Sequence, residues 1–116
     1  MTAAHLPLLI EQGSAFAHEL HVNDENGPVH LDGYTGQMDV RPHAGSETLL
    51  HRLDTASGGI VIDGPAGRIS LRIPATVTAA FTWPAAEYDL LIISPDGTPT
   101  RLLQGVVTVD AAVTRR

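Results

Sequence analysis

The strongest constraint on the fold is a two-residue period of polar and apolar side chains, repeated along the chain and cut by turn-forming residues. Arg68-Ile69-Ser70-Leu71-Arg72-Ile73 is the clearest stretch, with Ile69, Leu71 and Ile73 on one face. Successive strand side chains point to opposite faces, so this order suits a strand with one buried side. Gln37-Met38-Asp39-Val40-Arg41 repeats it with Met38 and Val40 inward, and Phe16, His18, Leu20 and Val22 share a face in a third segment. Tyr88-Asp89-Leu90-Leu91-Ile92-Ile93 is apolar on both faces, which predicts a central strand covered on both sides. A last run, Leu102 to Val109, sets Leu103, Val107 and Val109 on one side and Val106 on the other.

Between these runs lie Asn23–Pro28, Asp32-Gly33, His43–Ser46, Ser57–Gly59, Asp63–Gly67 and Ser94–Pro99. Glycine supplies positive φ and proline presets φ, so each cluster reads as a turn. Ser94-Pro95-Asp96-Gly97-Thr98-Pro99, between two apolar runs, is the best hairpin signal. Turns recur about every 8 to 14 residues, a spacing that suits a sandwich or small barrel. Only Pro74 to Phe81 argues for helix, and its Thr and Val residues are weak helix formers. The expectation is an all-β, antiparallel β-sandwich, immunoglobulin-like, of about seven to nine strands with at most one short helical turn near 74–81. A chain of 116 residues is sized for a single domain spanning 1–116, with 1–5 and 111–116 as tails.

Composition narrows the chemistry. The chain has no cysteine, which rules out disulfides, thiolate nucleophiles and cysteine-ligated metals. Every one of its seven cationic residues is arginine, so Schiff-base and P-loop lysines are also absent. A net charge of −6 with scattered arginines argues against a nucleic-acid partner. No apolar run nears the roughly 18 residues of a membrane-spanning helix, and no membrane association is expected. Met1 to Gln12 lacks a basic stretch and carries Glu11, so no secretory signal is expected there.

Six histidines, His5, His18, His21, His30, His43 and His51, raise the question of a metal site. The nearest pair, His18 and His21, has an odd spacing that puts the rings on opposite faces of a strand, and the others stand singly. Structural histidines are the expectation. The acidic turn at Asp24 fails the calcium-loop pattern, because Pro28 and Val29 occupy the fifth and sixth positions. A Gly-x-Ser-x-Gly elbow is missing, and neither Gly58-Gly59 nor Gly64-Pro65-Ala66-Gly67 opens a helix that would cradle phosphate. With aromatic residues at 4%, a stacking platform for sugars is lacking. The expectation is a non-enzyme with no catalytic, cofactor-binding or metal-binding residue and no cofactor; no partner-binding residue is assigned. Three positions carry structural expectations: a partner for the Tyr88 hydroxyl at the sheet edge, a cross-strand pair between Arg101 and Asp89, and a bulge or close backbone approach at Gly105.

One ordered set of motifs goes beyond generic β. Leu31-Asp32-Gly33-Tyr34-Thr35 is followed by Gly67–Ile73, then by Tyr88-Asp89-Leu90, the Asp96-Gly97 turn and Arg101-Leu102-Leu103-Gln104-Gly105. From about Gln12 to Arg115, this order resembles small tail-associated structural proteins of bacteriophages and prophages. It is also similar in plan to the N-terminal domain of phage baseplate upper proteins. The resemblance implies a structural virion component of a tail, tail tip or baseplate, made in the bacterial host cytoplasm and carried in the phage particle. Its partners would be other virion proteins and further copies of itself in a symmetric ring. The alternatives are a capsid decoration or head–tail connector protein, and a host-glycan-binding module.

Overall fold

The computed structural model describes residues 3–115. In chain order the elements are β1 (Ala4–His5), β2 (Leu8–Glu11), β3 (Phe16–His21), β4 (Asn23–Asp24), β5 (Gly27–Pro28), β6 (Thr35–Arg41), β7 (His51–Asp54), β8 (Ile60–Asp63), β9 (Arg68–Ile73), α1 (Ala75–Thr78), β10 (Ala85–Ile93) and β11 (Pro99–Asp110). The protein is predominantly β, with three sheets of mixed topology. The largest runs β1-β11-β10-β6-β7, with β2 also on β11; the second is β3-β9-β8; the third is the small β4-β5 hairpin. The eleven strands among the described residues exceed the expected seven to nine because β1, β4 and β5 have two residues each.

Alternation places the core. Met38, Val40, Leu90, Ile92 and Val107 from the large sheet join Ile60, Ile69, Leu71 and Ile73 from the second in one buried cluster. On β3, Phe16, His18 and Leu20 are half-buried while Ala17, Glu19 and His21 are exposed, as the period requires. The β10–β11 hairpin forms at the expected turn, where Gly97 at φ +91° closes it and its N–H donates to the Ser94 carbonyl at 2.9 Å. Gly67, at φ +62°, lets the chain pass tightly beneath the Val22 and Val29 carbonyls, with no room for a β-carbon.

Three expectations are corrected. The large sheet is mixed and not antiparallel, because β1 and β2 both lie parallel to β11. Residues 1–5 are not simply a tail, since Ala4 and His5 pair with Leu103 and Gln104; positions 1 and 2 of that expectation, and 116 at the other end, lie outside the described residues. Residues 111–115, expected as part of a tail, form no strand: Ala112 donates its N–H to Gln12 Oε1 at 2.9 Å, and Val113 is 94% exposed. β10 is covered on one face only, since Tyr88, Leu90 and Ile92 are buried while Leu91 and Ile93 stay half-exposed on the outer face. The register of β11 with β10 slips at Leu102, between Leu90 and Leu91, so of the bulge or close approach expected at Gly105 the bulge is not there.

The single helical turn α1 lies inside the expected window and starts at Pro74 with no side-chain cap. Its stability comes from tertiary bonds. Fully buried Thr78 accepts the Gly13 N–H at 3.1 Å and donates to the Ser14 carbonyl at 2.8 Å. Beside it, Gln12 Nε2 donates to the Phe81 carbonyl at 2.8 Å.

Candidate functional site

The outer face of the large sheet carries a row of polar side chains set side by side by strand register. Across β7, β6, β10, β11 and β1, the residues Arg52, Asp39, Asp89, Gln104 and His5 are successive backbone partners. Neighbouring strands lie about 4.8 Å apart, so such a row places its side chains in reach of one another. From Asp39 to His5, and with Arg41, Glu87 and Arg101, the row lines a concavity of about 530 Å³.

Asp39 is the best-tied member. Arg52 binds it in a fork, Nε to Oδ1 at 2.7 Å and the second guanidinium nitrogen to Oδ2 at 2.9 Å. Arg41 adds a bond to Oδ2 at 3.2 Å. The Arg52 hydrogen bonds hold the Asp39 carboxyl below its ordinary range despite partial burial, and Asp39 in turn raises the Arg52 guanidinium. Neither group exchanges a proton near neutral pH, so this pair offers fixed charge and not acid–base chemistry.

Along the row, Arg101 Nε stands 3.3 Å from Asp89 Oδ2, the cross-strand pair expected from the sequence. Arg101 also reaches Gln104 Oε1 at 3.5 Å, and Gln104 Nε2 lies 3.2 Å from His5 Nε2. Glu87 accepts the Ala44 N–H at 2.8 Å, and Arg41 donates to the Glu47 carbonyl at 3.1 Å, so the 42–50 connection is pinned to one end of the face.

Beneath the row, buried Tyr88 donates its hydroxyl to the Leu6 carbonyl at 2.5 Å, the sheet-edge partner that its burial calls for. Burial pushes its pKa up to about 12, which keeps the donor proton in place. Gly105 lies against the same carbonyl: a β-carbon there would overlap Leu6 and come 3.3 Å from Tyr88 Cε1. This is the close approach expected at Gly105, and it seats the first strand on the last. Tyr88, Asp89, Arg101 and Gly105 thus belong to one face and the support under it.

No protein-family model matches this sequence, and a search of curated proteins finds no match.

The other singled-out residues lie apart from the row. His18 faces inward and His21 outward, as their spacing requires. His30 stands 3.8 Å from Asp32, His43 sits in an exposed turn, and half-buried His51 packs edge-on against Phe81 with ring centroids 5.3 Å apart. Burial lowers the His51 pKa. Among the described residues, no three His, Asp or Glu converge in metal-binding geometry. Asp24 caps its own turn by accepting the Asn26 N–H at 2.8 Å. Sequence reasoning missed Asp39, Arg41 and Arg52. The alternation in β6 puts Asp39 and Arg41 outward, but their meeting with Arg52 depends on how the 42–50 connection sets the β6–β7 register.

Proposed function

We propose that this chain is an immunoglobulin-like β-sandwich serving as a structural virion component of a bacteriophage tail, tail tip or baseplate. It acts through protein–protein contacts, as one subunit of a homo-oligomeric ring among other virion proteins. The observation carrying this reading is the place of the Tyr88-Asp89-Leu90 and Arg101–Gly105 motifs, on which the resemblance to phage tail proteins rests. They fall on adjacent strands and build one contiguous face in which Asp39 and Asp89 are each held by arginine. A broad face of fixed, geometrically ordered charge recognises a complementary protein surface and confers register on an assembly. The strand order supports the immunoglobulin-like part of the reading. β3-β9-β8 facing β11-β10-β6-β7 repeats the B-E-D and G-F-C-C′ arrangement, with the first strand moved to the edge of the second group.

Particles purified from a host that carries the gene test this directly. Mass spectrometry is expected to find the chain in the tail fraction in multiple copies, and its absence from particles overturns the proposal. Asp89→Arg, which reverses an outer-face charge, is expected to fold normally yet lower incorporation at least about tenfold. Normal incorporation of the variant would remove this face from the assembly.

A further inference from the structure

We propose that the open edge of β3 is a self-docking surface. A second copy of this chain adds its own β3 antiparallel about a two-fold axis at Leu20 and extends the three-stranded sheet to six.

The backbone supplies the first part of the argument. β3 pairs on one side only, with β9. The Val22 N–H donates to the Gly67 carbonyl, in register with the β3–β9 ladder. Antiparallel ladders alternate, so Phe16, His18 and Leu20 turn their amides to β9 while Ala17, Glu19 and His21 turn theirs outward. Among the described residues, none of these three amides or carbonyls has a hydrogen-bond partner outside the ladder. Folded chains blunt such edges with prolines, bulges or very short strands. This one has six residues, no Gly, no Pro and an unbroken register, whereas β7 and β8 have four residues each.

Charge then selects the occupant and its register. Continuing the sheet requires the inward face of one copy to meet the inward face of the other, so allowed registers differ by two residues. An axis at Glu19 sets two carboxylates directly opposite, and an axis at His18 sets Glu19 against Ala17. The axis at Leu20 sets Glu19 opposite His21 of the second copy, twice, and Leu20 against Leu20 on the core side. Glu19 already draws nitrogen partners on this face, with His21 Nε2 at 3.4 Å and Arg68 Nε at 3.5 Å. Leu20 and Val22 are half-buried in the single chain and become covered in the pair. The interface is isologous and closes at two copies. It stands independently of any place in a virion.

Sedimentation of the full chain at neutral pH, over concentrations up to about 1 mM, is expected to show a monomer–dimer equilibrium. Glu19→Arg removes the carboxylate that faces His21 at two symmetric places and is expected to weaken the dimer by about 30-fold or more. Adding His21→Glu to that variant sets a carboxylate opposite the new guanidinium and is expected to recover association. In the wild type, amide exchange at Glu19 and His21 should slow as concentration rises. A monomer at every concentration, a dimer indifferent to Glu19→Arg, or no recovery in the double variant overturns the proposal. Particle content tests the virion reading separately, and either proposal can fail alone.

Discussion

At Gly105 one missing β-carbon lets the first strand lie against the last. The Leu6 carbonyl fills the space that a side chain would take, and there it accepts the Tyr88 hydroxyl. Gly105→Ala forces backbone against backbone and is expected to cost about 2–3 kcal/mol, read as a lower denaturant midpoint at unchanged m-value. Asp39 is the second residue whose neighbours decide its behaviour. Its folded pKa lies below the unfolded value, so its contribution is present above about pH 4 and is lost as pH falls through the folded pKa. Asp39→Asn is expected to cost about 1–2 kcal/mol at neutral pH. Its stability should fall less steeply than wild type below about pH 4 in acid-denaturation curves. The need of Tyr88 for a partner was legible from its type and position, but the partner was not: Leu6 is 82 residues away in sequence.

At the scale of elements, periodicity and turn chemistry were readable wherever one face meets water. β3, β6 and β9 follow their alternation, and the Asp96-Gly97 turn closes the β10–β11 hairpin. β10 misled because an apolar residue facing outward reads the same as one facing a second layer; Leu91 and Ile93 lie on the half-exposed outer face. α1 lacks a helix cap and depends on Thr78 and Gln12 to tie it to the β2–β3 turn. Thr78→Val keeps the shape but leaves the Gly13 N–H and the Ser14 carbonyl without their partner. The expected loss is about 1–3 kcal/mol by thermal or chemical denaturation, larger than for Thr76→Val on the exposed side of the same turn.

For the whole molecule, the buried residues of both larger sheets form one core, and the outer face of the larger sheet carries the charged row. The β class, the turn positions and the inward and outward faces of most strands followed from the order of residues alone. Side-chain alternation and turn preference are local properties, set within a few bonds. Strand order, the parallel seating of β1 and β2 on β11, and the meeting of Asp39 with Arg52 were decided only by tertiary structure. Each depends on which distant segments pair and in what register, and connections as irregular as 42–50 carry no periodic signal that would set it.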